Sequence, residues 1–96
     1  MENKVYKFKK IASEIGDLYE KKNKDYGDSF GQTFDKLGLL SAITRISDKY
    51  NRIVSLATSN DLQIKSETIE DTLKDLAAYS IMTIIALDEH KNINNK

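Results

Sequence analysis

Three carboxylates follow one another at four-residue intervals near the start of the longest apolar segment of the chain: Glu67, Asp71 and Asp75. On an α-helix this spacing places them on one side. The same stripe then becomes apolar, with Ala78, Met82 and Ile85. Carboxylates on an apolar stripe need a cation, a metal ion or water as a partner, because an unpaired buried charge is costly. We therefore predict an ion or ligand site at Asp71 and Asp75, with Glu67 as a further member.

Part of this acidic pattern also has a purely structural explanation. Acids in the first turn of a helix interact favourably with its dipole, and Ser66 or Thr68 could cap the helix with Asp71 completing a capping box. Asp75 lies about two turns further in, where aspartate is a poor helix former. The structural explanation therefore covers the first acids and leaves Asp75 unexplained.

A second set of polar residues forms a basic flank on another segment, with Arg45, Lys49 and Arg52 on one side and Asp48 one step further round. Arginine offers a planar fork and lysine a point charge, so this flank could hold a phosphate group. The alternative is a solvated helix face with an ion pair between Asp48 and Arg52.

The segment KNKDYGDSF, residues 22–30, is dense in hydrogen-bonding groups and is typical of either a turn or a ligand lid. Its candidate ligand-binding residues are Lys24, Asp25, Tyr26, Asp28, Ser29 and Phe30. An aromatic side chain such as Tyr26 could stack on a base. Alternatively, the aromatic residues at spacing four, which include Phe34, could form a short connecting helix that caps a bundle.

These candidates must be positioned by helices, because the chain has no proline and little strand-type alternation. We predict one all-α domain over residues 1–96, with three main helices at about 4–22, 38–57 and 67–90, a glycine- and aromatic-rich connecting segment, and a frayed tail at 91–96. The predicted core face of the first helix is Val5, Phe8, Ala12, Ile15 and Tyr19. The predicted core face of the second is Leu39, Ile43, Ile46, Tyr50, Ile53 and Ala57. The short link at 60–66 favours antiparallel packing of the second and third helices.

Composition narrows the classes of partner. A chain of 96 residues builds a small core, and the third helix is apolar on a second side as well, so we expect the helical bundle to be completed by homo-oligomerisation. With 15 basic and 15 acidic residues the net charge is zero, which gives no strong signal for nucleic acid or anionic membranes. The absence of cysteine means that bound carboxylates would select a hard ion such as Mg²⁺. No apolar run is long enough to span a membrane, and we expect a cytoplasmic protein.

Three segments together resemble a known family: KNKDYGDSF at 22–30, RISDKYNRI at 45–53 and KSETIEDTLKDLAAYSIM at 65–82. They are similar to the first of the nucleotide-modification-associated domains, small helical proteins common in bacteriophages. That family in turn looks like the MazG-type and dCTP pyrophosphatase group of all-α nucleotide hydrolases. The resemblance implies acidic residues on two adjacent helices that hold Mg²⁺. On this chain they would be Asp71 and Asp75, with Asp48 as the one acid on the second helix.

The resemblance leads to two hypotheses. In the first, the protein is a Mg²⁺-dependent nucleotide pyrophosphohydrolase: Asp48, Asp71 and Asp75 hold the metal and Glu67 orients water, while the basic flank neutralises phosphate charge. In the second, the same residues bind a nucleotide without cleaving it, and a phage protein of this kind would withhold a signalling nucleotide, including a cyclic one, from host immunity. A third, simpler alternative is a helical interaction module that only self-associates.

Overall fold

A computed structural model describes residues 3–94 of the chain, apart from the side chains of residue 26, of residues 62–67 and of residues 92–94. The described residues form four helices: α1 (Lys4–Tyr26), α2 (Ser29–Leu37), α3 (Leu39–Ala57) and α4 (Leu62–Asn94). The all-α prediction is confirmed, but the count of three helices is too low. The start of the connecting segment continues α1, which ends at residue 26 and not at the predicted 22. The rest of the segment forms α2, which is the helical alternative for its aromatic residues, and α4 extends beyond the predicted 67–90 at both ends.

Two glycines separate the first three helices. Gly27 ends α1 with φ 72° and Gly38 ends α2 with φ 77°, a backbone region that glycine enters without a Cβ penalty. Between them, the Asp28 carboxylate caps α2 by accepting a hydrogen bond of 3.0 Å from the backbone N–H of Gly31. The turn at 27–28 thus directs the chain from α1 into α2 within two residues.

Helices α3 and α4 form an antiparallel hairpin joined by residues 58–61, as the short link predicts. Their order is reversed along the interface: Arg45 lies beside Tyr79, while Lys49, one turn later in α3, lies beside Asp75, one turn earlier in α4. This hairpin places the basic flank of α3 opposite the middle of α4.

The face of α3 that packs against the bundle differs from the predicted one. Leu39, Ile43 and Tyr50 are exposed, whereas the small Ala42 is buried, as is Ala86 of α4. Both alanines belong to the buried cluster that includes Phe30 and Phe34 of α2. The predicted core face was therefore correct for Ile46 and Ile53, which are half-buried, and wrong for its exposed members, Leu39, Ile43, Tyr50 and Ala57.

The prediction for α1 was correct only for its second half. Ile15 and Tyr19 are half-buried, but Val5 and Phe8 are 65% and 76% exposed. Every residue from 3 to 14 is exposed, because the first half of α1 has no neighbouring helix within the described part of the chain. The apolar stripe of α1 is continuous in sequence but packed on only one half of its length.

Helix α2 supplies most of the core. Phe30 and Phe34, one turn apart, are buried together with Ala42 and Ala86, and Tyr79 and Met82 pack against this cluster. The two phenylalanines therefore pack against residues of both α3 and α4 and so hold α2 on the hairpin. Within residues 3–94, no helix combines the length and the apolar content that crossing a membrane requires.

Candidate functional site

An open cleft of about 450 Å³ lies between α1, α3 and α4, with the first turn of α2 at one end. Its polar and charged lining residues are Glu14, Lys22, Asn23, Asp28, Ser29, Arg45, Lys49, Lys74 and Asp75. Its apolar and aromatic lining residues include Ile15, Leu18, Tyr19, Phe30, Ala78, Tyr79 and Met82. The cleft therefore combines an apolar floor with a charged rim, as small-molecule sites commonly do.

Arg45 is the charged lining residue that lies against both aromatic rings of the cleft. Its guanidinium carbon is 5.5 Å from the centre of the Phe30 ring and 6.0 Å from that of Tyr79. These are cation–π distances, and they hold the half-buried side chain on an aromatic surface. Within the described residues Arg45 makes no ion pair, so its hydrogen-bond donors remain available to a ligand.

Lys49 is positioned one turn after Arg45, and it is shared between two partners. Its Nζ lies 3.2 Å from Oδ2 of Asp75 and 5.9 Å from the centre of the Tyr79 ring. The two side chains of the ion pair are 28% and 38% exposed, which limits the free energy that the pair contributes to about 1 kcal/mol or less. An incoming anion could therefore compete with Asp75 for Lys49.

The floor of the cleft consists of two rings. The centres of Phe30 and Tyr79 are 6.0 Å apart, with an angle of 28° between the ring planes. Phe30 is buried beneath the cleft, while Tyr79 is half-buried. Tyr79 is thus the more accessible aromatic surface, and the first turn of α2, with Asp28 and Ser29, closes the end of the cleft beside Phe30.

The structure brings together part of the predicted site. Of the candidate residues, the cleft is lined by Asp28, Ser29, Phe30, Arg45, Lys49 and Asp75. Other candidates are exposed and are not among the lining residues: Lys24, Asp25, Asp48, Arg52 and Asp71. The side chains of the remaining two, Tyr26 and Glu67, lie outside the part that the structure describes.

The predicted magnesium ligands do not converge. Within the described side chains, no three histidine, aspartate or glutamate residues form a group that could hold a metal ion. Asp75 lines the cleft and faces Lys49, whereas Asp71 and Asp48 lie away from it. The three predicted ligands, Asp48, Asp71 and Asp75, therefore form no common metal site among the described side chains, and the fourth candidate acid, Glu67, lies outside them.

Several lining residues were not among the sequence candidates. The most informative is Tyr79, which lies one turn after Asp75 and so next to the acidic stripe. Its spacing from Asp75 could have identified it, because residues four apart on a helix share a face. Lys74, Glu14 and Tyr19 carried no such signal, since their relevance depends on the angle at which α1 crosses α4.

In a comparison with protein families, the model of nucleotide modification associated domain 1 matches residues 22–87. This range contains α2 and α3 in full, the end of α1 and most of α4, and so most of the cleft. Neither the curated proteins nor the solved structures include a match to the chain.

Proposed function

Starting from the fact that this chain belongs to the nucleotide modification associated domain 1 family, we propose that its cleft binds a nucleotide through a phosphate group. The observation that carries the proposal is Arg45, a half-buried cation of the cleft lining without a carboxylate partner in the described residues, held on two aromatic rings. Arginine in such a position offers two parallel hydrogen bonds to a phosphate. Lys49, one turn away, supplies a second positive charge.

The rest of the nucleotide has suitable surfaces in the same cleft. Arg45 and Lys49 lie over the Tyr79 ring, 6.0 and 5.9 Å from its centre, so a base would stack on Tyr79 once these cations turn to the phosphate. Such stacking is worth about 1–3 kcal/mol. Asn23 and Ser29 offer hydrogen-bonding groups for a base or ribose. Ala78 and Met82, which also belong to the apolar lining, exclude water from one side of the ligand.

The charge of the cleft favours binding of an intact ligand of low negative charge. The lining contains four basic residues, Lys22, Arg45, Lys49 and Lys74, against three acidic ones, Glu14, Asp28 and Asp75. A surplus of one positive charge matches a phosphodiester better than a triphosphate. We therefore favour a protein that holds a signalling nucleotide, such as a cyclic one, without cleaving it. A phage-encoded protein of this kind would act against host defence by sequestration.

The second candidate function is Mg²⁺-dependent hydrolysis of a nucleoside triphosphate, and it is favoured by the presence of Asp75 in the cleft beside two cations. Mg²⁺ commonly binds through one or two carboxylates together with substrate phosphates. In this alternative the ion would enter with the nucleotide, and Asp75 would be its protein ligand.

The experiment that tests the proposal is a panel of linear and cyclic nucleotides incubated with the protein in Mg²⁺ or EDTA, followed by thermal shift and chromatography. We expect stabilisation by a cyclic or other phosphodiester nucleotide that is unaffected by EDTA, with the ligand recovered intact. Recovery of a cleaved nucleotide only in Mg²⁺ would support the hydrolase instead. No stabilisation and no product would refute both candidates.

A pair of arginine variants localises the binding. Arg45→Met keeps an apolar side chain on the aromatic floor but removes the charge, so we expect the affinity for the stabilising nucleotide to fall about tenfold or more. Arg52→Met makes the same change on an exposed residue of the same helix outside the cleft, and we expect no change. Equal effects of the two substitutions would place the ligand elsewhere.

A further inference from the structure

The first half of α1 has an apolar surface that nothing in the described chain covers. Val5 and Phe8 continue the stripe on which Ile15 and Tyr19 pack in the cleft, yet they are more than half exposed. We call residues 4–13 the α1 arm. The apolar stripe of α1 is packed in its second half and open in its first half. The arm therefore carries the stripe past the last helix of its own chain that α1 contacts.

Helix α4 has a matching open surface on the side away from the bundle. Ile81 and Ile84 are exposed there, Ile84 by 65%, and Ile85, which is 44% exposed, lies at the border of this surface, where it also lines a small cavity with Tyr19 and Phe30; Thr83 and Ala86 on the opposite side are buried. Asp88 lies one turn after Ile84 and is also exposed. We call Ile81, Ile84, Ile85 and Asp88 the α4 outer face. Three neighbouring isoleucines in contact with water are an unusual surface for a single chain and mark an interaction site.

The solvent-accessible surface of the chain is larger than the value expected for a compact folded monomer of the same mass. A folded monomer of 10.9 kDa exposes about 5,600 Å², whereas this chain exposes 7694 Å². The radius of gyration is 15.6 Å, against about 12.5 Å for a compact domain of this length. The excess of about 2,000 Å² per chain is in the range that obligate homodimers bury.

The two open surfaces also differ in charge. The arm carries Lys4, Lys7, Lys9 and Lys10 and no acidic residue, and by helical spacing Lys4 and Lys9 flank the Val5 and Phe8 stripe. The α4 outer face carries Asp88, with Glu89 beside it and Lys91 one turn later, so two acids and one base border it. A basic apolar helix and an acidic apolar face are complementary surfaces for association.

From these observations we infer that a second copy of the chain covers both surfaces, with the α1 arm of each protomer packed on the α4 outer face of the other. One reciprocal, two-fold contact then removes both apolar patches from water. An anionic membrane would cover the basic arm but would leave the acidic α4 outer face exposed. The second copy is therefore the occupant that accounts for both surfaces.

Light scattering and sedimentation of the full-length protein test this inference. We expect a mass of at least two chains for the wild type, and the mass of a single chain for both Phe8→Glu and Ile84→Glu. Tyr6→Glu is the matched control, because Tyr6 is an exposed aromatic residue of the same arm that lies off the stripe; it should associate like the wild type. Circular dichroism of each variant checks that the helices remain.

Mixing the two disrupted variants identifies which surfaces touch. Phe8→Glu keeps an intact α4 outer face and Ile84→Glu keeps an intact arm, so an equimolar mixture should regain association through one arm-to-α4 contact. A wild-type monomer would overturn the inference, whether or not it sediments with anionic vesicles. Failure of the mixture to associate would also overturn it. Association of Ile84→Glu alone would indicate arm-to-arm pairing, and association of Phe8→Glu alone would indicate α4-to-α4 pairing.

Discussion

At the scale of single residues, Asp75 is the position where the two candidate functions differ. In the binding protein Asp75 only competes with phosphate for Lys49, from which it lies 3.2 Å away. In the hydrolase it holds the metal ion. The two roles make opposite demands on the same carboxylate, so a neutral isostere separates them.

We predict that Asp75→Asn raises the affinity for the bound nucleotide about two- to fivefold, because it releases Lys49 from an ion pair worth up to about 1 kcal/mol. Titration calorimetry measures the change. Asp71→Asn is the control, since Asp71 is exposed and outside the cleft, and it should leave the affinity unchanged. Loss of a Mg²⁺-dependent turnover in either variant would instead support the carboxylates as catalytic residues.

His90 joins the far end of α4 to α2. Its Nε2 lies 2.9 Å from Oδ1 of Asp35, and its ring meets that of Phe34 edge-on, with 4.9 Å between the ring centres. An edge contact of this kind and one hydrogen bond each contribute about 1 kcal/mol. The single histidine of the chain is therefore a structural residue that holds the end of the bundle together.

We predict that His90→Ala lowers the free energy of unfolding by about 1–2 kcal/mol, as measured by urea denaturation. His90→Phe retains the ring contact with Phe34 and loses only the hydrogen bond to Asp35, so it should cost about half as much. Nucleotide affinity should stay the same in both variants, because His90 lies outside the cleft. A loss of affinity would show that this end of the bundle controls the cleft.

At the scale of helices, the turn into α2 depends on a close approach between the side chain of Asp28 and the backbone of Gly31, three residues later. The Asp28 carboxylate that caps α2 occupies the space where a Cβ at position 31 would lie, so Gly31 is required as long as Asp28 is the cap. The motif GDSFG thus specifies a helix start. The sequence suggested ligand contacts here, and the structure shows that at least Asp28 also has a capping role.

We predict that Gly31→Ala destabilises the protein by about 1 kcal/mol, because the new methyl group displaces the capping carboxylate. In an Asp28→Ala background the same substitution should be neutral or stabilising, since alanine favours the helix. Gly16→Ala is the control: nothing lies within 4 Å of its Cβ position, so it should stabilise α1 by up to about 1 kcal/mol. Additive effects of Asp28→Ala and Gly31→Ala would contradict the proposed overlap.

The helices themselves could be predicted from the sequence, because apolar spacing and the absence of proline are local signals. The packed faces could not. Ala42 and Ala86 are buried in the cluster that contains the phenylalanines of α2, whereas Ile43 is left exposed. A helix with apolar residues on two sides does not reveal which side faces its own chain. That choice depends on the neighbouring helix and, by our inference, on a second copy.

The same reasoning explains why the candidate site was only partly predictable. Arg45, Lys49 and Asp75 were identified because their residue types and spacing are unusual on helices that also carry apolar stripes. Arg52 shared the flank in sequence but lies beyond the cleft. Arg45 and Arg52 lie on the same flank of α3 but at different distances from α1. Only the packing of α1 on the α3 and α4 hairpin places Arg45 in the cleft and Arg52 outside it.

At the scale of the whole molecule, the cleft and the proposed dimer share one element. Helix α1 forms a wall of the cleft with Ile15, Leu18 and Tyr19, and the same helix continues into the arm. In an isolated chain only the second half of α1 is packed. A partner that binds the arm would hold the whole helix, and so would reduce the conformational freedom of the cleft wall.

We therefore predict that ligand binding and association are coupled. Phe8→Glu, which lies outside the cleft, should weaken the affinity for the nucleotide by several-fold, because a monomer must order the α1 wall when it binds. By linkage, the nucleotide should lower the dissociation constant of the wild-type dimer by the same factor, as sedimentation at several protein concentrations would measure. Tyr6→Glu should show neither effect. Equal nucleotide affinities for Phe8→Glu and the wild type would mean that one chain alone sets the geometry of the cleft.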